Sequence, residues 1–302
     1  MSKVGKAKYK IPLFFLTPAL VMLLIFVIGP TIYTIYMSFL DWSGGPREFI
    51  GLDNYVEVLT RKTIINYGRS LLDGPPYGAL VHNAIWILIH VPLSTVLGLV
   101  LAVILKNVKG GTILKSIIFL GMVTPMVVGG IMLRFIYDAD AGILNAVLKA
   151  VGLGDIVRTW TAYPDTALIS LILGSVWIWT GFSMIVYSAG LETIPPELIE
   201  AAKVDGASGF LIFRKIIIPL LKPATIVVVT MSVLWALKVF DIVYVVTLGG
   251  PGAASTVLAL EMYMDAFFKI PSNYGTASAI ATLLTLITLG FAVYIIRYMV
   301  VR

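Results

Sequence analysis

The sequence predicts an all-α membrane protein with six transmembrane helices. Three observations carry that expectation. Apolar residues make up 59% of the chain and charged residues only 13%, where a soluble domain carries about 25% charged residues. Mean hydropathy is +0.97. Six segments, at residues 12–37, 78–105, 112–137, 164–190, 216–247 and 276–298, reach the roughly 20 residues that a spanning helix needs. Backbone in hydrocarbon must satisfy its own hydrogen bonds, so the spans are helices.

The first span follows a tail, residues 1–11, that carries Lys3, Lys6, Lys8 and Lys10. That start resembles a signal peptide, but the apolar run is too long and no small-residue cleavage site follows, so a retained anchor is expected. Residues 12–302 then form one transmembrane domain. Its longest connection, 40–77, contains Trp42, Phe49, Ile50, Leu52 and Tyr55 and is expected to fold onto the membrane surface. Asp73-Gly74-Pro75-Pro76-Tyr77 reads as a turn before the second span. Pro18, Pro30, Pro92, Pro125 and Pro223 lie in or near spans, where prolines are usually kinks.

Orientation follows from lysine and arginine. Thirteen lie on one side: four in the tail, Lys106, Lys109 and Lys115, then Lys203, Arg214, Lys215 and Lys222, and finally Arg297 and Arg302. The opposite connections carry Arg47, Arg61, Lys62, Arg69, Lys149, Arg158 and Lys269, with Arg134 near a span end, over longer loops. The positive-inside rule puts both termini in the cytoplasm. Loops 40–77, 138–163 and 248–275 then face outward.

The cytoplasmic connection 191–219 is moderately polar and has its own local logic. Pro195 and Pro196 suit a helix start, because the first turn leaves its N–H groups unpaired anyway. Glu197 falls where the helix dipole favours negative charge. Leu198, Ile199, Ala201 and Ala202 give a short apolar face. Asp205-Gly206 is a stop signal, with Gly206 free to take a positive φ. A second short helix can start at Ser208. This helix–turn–helix is too short to cross a membrane; the plain alternative is an amphipathic interfacial loop.

Catalytic chemistry is hard to place. The chain has no cysteine, which excludes disulfides, Cys-ligated zinc and thiol catalysis. His82 and His90, eight residues apart, could share a helix face as a metal pair, but no carboxylate accompanies them, and polar packing or pore lining is favoured. No phosphate-cradling loop ends in Lys-Ser/Thr, so the chain itself should bind no ATP. Gly249-Gly250-Pro251-Gly252 reads as a turn. The net charge of +6 follows membrane orientation and does not point to nucleic acid. Lys238 and Asp241, three apart in the fifth span, are expected to face each other on one helix, as a pathway or subunit-interface pair or as mutual neutralisation. Trp177, Trp179, Tyr187 and Trp235 are candidates to line a sugar cavity, since aromatic faces stack on sugar C–H surfaces. Helix packing or an interfacial belt explains them equally well.

The run Glu200-Ala201-Ala202, then Val204-Asp205-Gly206-Ala207, then Ile216, Ile218 and Pro219, resembles the "EAA" loop of ABC importer permeases. The flanking Trp179-Thr180-Gly181-Phe182, the stretch from Ala189 to Leu198, and Phe240-Asp241-Ile242-Val243-Tyr244 with Thr247-Leu248-Gly249-Gly250-Pro251 are similar to the carbohydrate branch, which holds the maltose and glycerol-phosphate permeases. The likeness covers most of the chain. Ile218 stands where the pattern usually has leucine, an apolar exchange. The resemblance implies the type I importer (MetI-like) fold, and pairing with a second, homologous permease. It also implies an ABC ATPase dimer below, an extracytoplasmic solute-binding protein above, and a sugar as cargo. ATP and Mg would be used by the ATPase, with no cofactor on this chain. Glu200 would meet a basic residue of the ATPase, and Gly206 would allow the turn between two coupling helices, with Ala201, Ala202, Asp205 and Ala207 in the same contact. A secondary transporter or channel would place ion-coupling acids or broken helices at the midplane, where only Asp241 is a candidate. An intramembrane enzyme would need a nucleophile–base or paired-acid site, and none is visible.

Overall fold

A computed structural model describes residues 15–43 and 47–300. The tail, the first residues of the first span and Arg302 lie outside the described residues. The chain forms two compact units, one up to Leu59 with Met262–Thr285, the other Thr60–Glu261 with the chain from Leu286 onward.

In the first unit, α1 (Phe15–Met37) buries none of its most apolar stretch within the chain. It leads into β1 (Leu40–Asp41), which pairs antiparallel with β2 (Glu48–Phe49), Leu40 opposite Phe49. The next helix, α2 (Asp53–Thr60), starts with an acid in its first turn, as the helix dipole favours. Buried Asn54 donates to the carbonyls of Ser38 and Leu40 at 2.9 and 2.8 Å, closing this segment on itself. Phe49 and Leu52 stay exposed.

The second unit holds α3 (Ala79–Ile104), α4 (Gly111–Val123), α5 (Met126–Ile136), α6 (Ile143–Ala150), α7 (Pro164–Glu192), α8 (Pro196–Val204), α9 (Gly209–Leu220), α10 (Lys222–Leu237) and α11 (Asp241–Val246). α12 (Leu258–Tyr263) and α13 (Tyr274–Val300) follow, the latter giving its start to the first unit and its end to the second. α7 is central: 67% of its most apolar stretch is buried, and it packs along α3, α4 and α10. Glycines make this approach possible. A Cβ on Gly98 of α3 would lie 2.3 Å from the Ser183 Cβ and 2.8 Å from the Met184 backbone nitrogen, and one on Gly181 would lie 2.9 Å from the Ile118 carbonyl oxygen.

Four expected spans are continuous helices within about two residues of the predicted limits where described. The other two are corrected. The third is α4 plus α5, bent by 102°. Pro125 is the cause: its ring disfavours helical backbone at the residue before it, and Thr124 turns extended, with φ −66° and ψ 130°. Pro125 therefore ends a helix, whereas Pro92 is carried inside α3. The fifth span starts as α9, bends by 67° into α10 and stops at Leu237, ten residues early. Lys238 is the C-cap of α10 and Asp241 opens α11, with non-helical Phe240 between them. The two charges do not share a helix, both are exposed, and no ion pair joins them among the described residues. The early stop has a partner: buried Asn83 donates Nδ2 to the carbonyls of Ala236 and Leu237 at 3.0 and 3.2 Å, satisfying acceptors that a helix end leaves unpaired.

Candidate functional site

The segment 191–219 forms the expected helix–turn–helix. Pro195 is the N-cap and Pro196 the first residue of α8, with Glu197 in the first turn and Lys203 in the last. Asp205 caps the C-terminus, and Gly206 has φ +79°. The Gly206 N–H donates to the Lys203 carbonyl at 3.0 Å and the Ala207 N–H to the Ala202 carbonyl at 2.9 Å. These two bonds make a Schellman motif, which ends a helix by a left-handed residue and satisfies its orphan carbonyls. Ser208 then caps α9, its hydroxyl accepting from the Leu211 N–H at 3.3 Å.

The pair is anchored at its roots and bare at its tip. Ile194 and Leu221 enter a buried cluster with Leu105, Met184, Tyr187 and Leu191, and Ile199 and Ile217 pack against it. The Lys106 ammonium donates to the Leu191 carbonyl at 3.2 Å, which ties the α3–α4 connection to the end of α7. By contrast α8 buries no residue fully. Val204 is 88% exposed and Phe210 71% exposed, so apolar side chains stand on a polar scaffold. Glu200, Ala201, Asp205 and Gly206 are exposed, while Ala202 and Ala207 are half-buried. Glu200 makes no hydrogen bond or ion pair among the described residues.

The aromatic candidates separate. Trp177 and Trp179 are two residues apart, about 200° around a helix. Trp177 is half-exposed in an apolar groove with Leu93, Ile117 and Leu173. Trp179 is buried, donates its indole N–H to the Ser232 hydroxyl at 2.7 Å and stacks on Trp235 at 5.1 Å between ring centres. His90 lies 5.0 Å from the Trp235 ring and Trp86 6.4 Å, and Phe182 lies 5.3 Å from Trp179, so five rings from α3, α7 and α10 form one cluster. Tyr187 lies outside it, buried, with its hydroxyl donating to Thr225 Oγ1 at 3.1 Å.

His82 and His90 both serve polar packing. The Thr256 carbonyl, 2.8 Å away, can only accept, so His82 Nδ1 carries the proton and Nε2 accepts the Tyr77 N–H at 3.0 Å. Ser175 gives its hydroxyl proton to the Ile172 carbonyl and so accepts from His90 Nδ1–H at 2.8 Å. No group of metal-ligating side chains occurs among the described residues.

One polar latch was not anticipated. Glu261 accepts from Thr63 and Thr256 at 2.8 and 3.0 Å. Asn83 Oδ1 accepts the Leu258 N–H at 3.0 Å while its amide holds the end of α10. The latch joins the start of α3, the end of α10 and the segment after the glycine turn at 249–252. His82-Asn83, a polar dipeptide opening an apolar span, was its available signal. A cavity of about 720 Å³ lies between α5, the 138–163 connection and the end of α11 with the glycine turn, with Arg134, Asp138, Thr159, Thr161 and Thr247 on its wall. The backbone N–H groups of Ala141 and Asp140 hold the Asp138 carboxyl below the usual carboxylate range.

These features define a class: a helical membrane subunit with a glycine-packed core and an exposed helix–turn–helix on one flank. The chain belongs to the family of binding-protein-dependent transport system inner membrane components, matching it over residues 94–302. It is 52% identical to a probable ABC transporter permease protein of Pyrococcus horikoshii, over 95% of this chain and 97% of that one. It is 32% identical to the trehalose/maltose transport system permease protein MalF of Thermococcus litoralis, over 98% and 96% of the two chains. The fold is shared with a bacterial ABC transporter that imports the acidic polysaccharide alginate, with a TM-score of 0.76 at 22% identity and 98% of each chain covered. The chain is thus a membrane-embedded permease subunit of an ABC importer, not itself an enzyme.

Proposed function

We propose that this permease carries a sugar or oligosaccharide and forms half of its path, the other half coming from a second, homologous permease. The sugar reading draws support from the cargo named for the MalF relative and from the Trp179–Trp235 stack beside Ser232. Trp235 is only half-buried, so a rearrangement of α10 would free a ring face for a sugar. Trp177, Tyr187, Lys238 and Asp241 complete the set proposed for the path and its subunit boundary. In this reading residues 1–11 are a cytoplasmic tail, 12–302 the permease domain, 40–77 an outer loop and 191–219 the coupling loop, with both termini cytoplasmic. A solute-binding protein delivers the cargo from outside.

The observation that carries the coupling assignment is the exposed tip formed by α8, Gly206 and α9, with an unpaired Glu200 beside exposed Val204 and Phe210. We assign this tip to the ATPase. ATP and Mg bind there, on the partner dimer, and closure of that dimer displaces α8 and α9 as rigid bodies. The spans attached near residues 190 and 219 tilt with them, and access switches. This is a two-state element biased from a distant site, and by linkage a loaded binding protein outside favours ATP closure inside.

Glu200→Ala tests the assignment. Truncating one member of a desolvated interfacial charge pair costs about 2–5 kcal/mol. Uptake should therefore fall by on the order of tenfold or more, with either less ATPase recovered with the complex or hydrolysis continuing without transport. Membrane insertion should be unchanged. Normal uptake together with normal complex recovery would remove Glu200 from the contact.

A further inference from the structure

A groove of about 550 Å³ runs between the α9–α10 bend and the last turns of α13. Its walls are apolar, from Ile218, Pro219, Ile226, Val229 and Ile295. One end is polar. The Lys222 ammonium sits 5.3 Å from the centre of the Tyr298 ring, and Tyr294, one turn earlier on α13, is 65% exposed. Lys222 is exposed and has no carboxylate partner among the described residues. The local charge has one sign: Arg214, Lys215, Lys222 and Arg297 lie in these elements, while neither 207–240 nor 266–302 contains a single acid.

We propose that this groove binds an anionic membrane lipid, with an acyl chain along the apolar wall and its phosphate at Lys222. The shape and the charge each argue for it. An apolar groove lined by two membrane-spanning helices suits a hydrocarbon chain. A cation with an apolar stem held over a tyrosine ring, beside an exposed tyrosine hydroxyl, suits a headgroup at the depth where Lys and Tyr concentrate in membrane proteins. Basic pockets between spans on the cytoplasmic side hold anionic headgroups, and the side assigned to Lys222 rests on the orientation proposed above. The lipid would brace α10 against α13 next to the bend through which α9 moves, so lipid charge would tune coupling.

Native mass spectrometry of the transporter, purified with its co-expressed partner subunits and exchanged into equal phosphatidylglycerol and phosphatidylcholine, reads the site directly. Wild type should keep phosphatidylglycerol preferentially. Lys222→Gln should reduce that retention about fivefold, the expected effect of one cation near an anionic surface, and Lys222→Arg should restore it. Ile226→Trp, which fills the groove and keeps the charge, should lower retention of both lipids. Excess inorganic phosphate should displace nothing. Equal retention of the two lipids, an unchanged Lys222→Gln complex, or displacement by inorganic phosphate would overturn the proposal. So would a photoreactive benzoylphenylalanine at position 294 that captures a protein subunit in place of lipid. If Lys222→Gln fails to assemble, the Ile226→Trp and phosphate results still decide.

Discussion

Gly98→Val should leave almost no folded permease in the membrane, while Gly290→Val on α13 should be tolerated. At Gly98 the new side chain meets the Ser183 Cβ at 2.3 Å and the Met184 nitrogen at 2.8 Å. One of these is backbone inside α7, so no rotamer change relieves the contact and α3 must move off α7. Overpacking of a tight core costs about 1–3 kcal/mol and occasionally more, and the upper end applies where the obstruction is main chain. At Gly290 a Cβ meets nothing within 4 Å, so the same substitution there controls for the residue type. Small residues let membrane helices approach closely, and that approach replaces the hydrophobic drive that lipid removes. Fluorescence-detected gel filtration of solubilised protein after graded heating would read the effect. Equal melting of the two variants would refute this account of the α3–α7 contact.

Gly206→Val should fold and insert normally yet lose most coupled transport. No atom stands within 4 Å of a Cβ at this position, but its φ is +79°, so the penalty is conformational and not steric crowding from neighbours. Holding an L-residue in the left-handed region costs about 1–3 kcal/mol, and a β-branched residue is an outlier there. The cheaper response is to unwind the Schellman turn, which redirects α9 relative to α8. Ala202→Gly, in the preceding helix, should cost only about 1 kcal/mol, and Gly206→Asn should recover much of the activity because asparagine tolerates this backbone. Uptake per ATP hydrolysed in vesicles separates the three. Parental transport by Gly206→Val alongside failure of Ala202→Gly would show that the turn is not built this way.

Local signals in the sequence were enough for the helix–turn–helix. Asp205-Gly206 announces a left-handed stop, Pro196 a start and Ser208 a cap, and each acts within a few residues. Span existence was equally legible, because twenty apolar residues satisfy few other structures. What the sequence did not reveal depends on distant partners. Nothing local separates Pro92, carried inside a helix, from Pro125, which breaks one. The stop at Leu237 is supported by Asn83, more than 150 residues away, and without that amide a continuous span to 247 was the reasonable expectation; the Lys238–Asp241 pairing failed with it. The tryptophans were identified as a set, yet helical spacing alone puts Trp177 and Trp179 on different faces, and the stack on Trp235 depends on how α7 and α10 pack.

The central claim is that the tip of α8 and α9 is the cytoplasmic contact for the ATPase. The chain has no native cysteine, so a single introduced thiol reports without background. Val204, 88% exposed on α8, and Leu72, 97% exposed in the 40–77 connection, give the two positions. Val204→Cys should react with a membrane-impermeant maleimide only in inverted vesicles, and a short bifunctional reagent should join it to the ATPase in the assembled transporter. Leu72→Cys should react from outside and never reach the ATPase. Labelling of Val204→Cys in intact cells, or an ATPase cross-link from Leu72→Cys and none from Val204→Cys, would contradict the account.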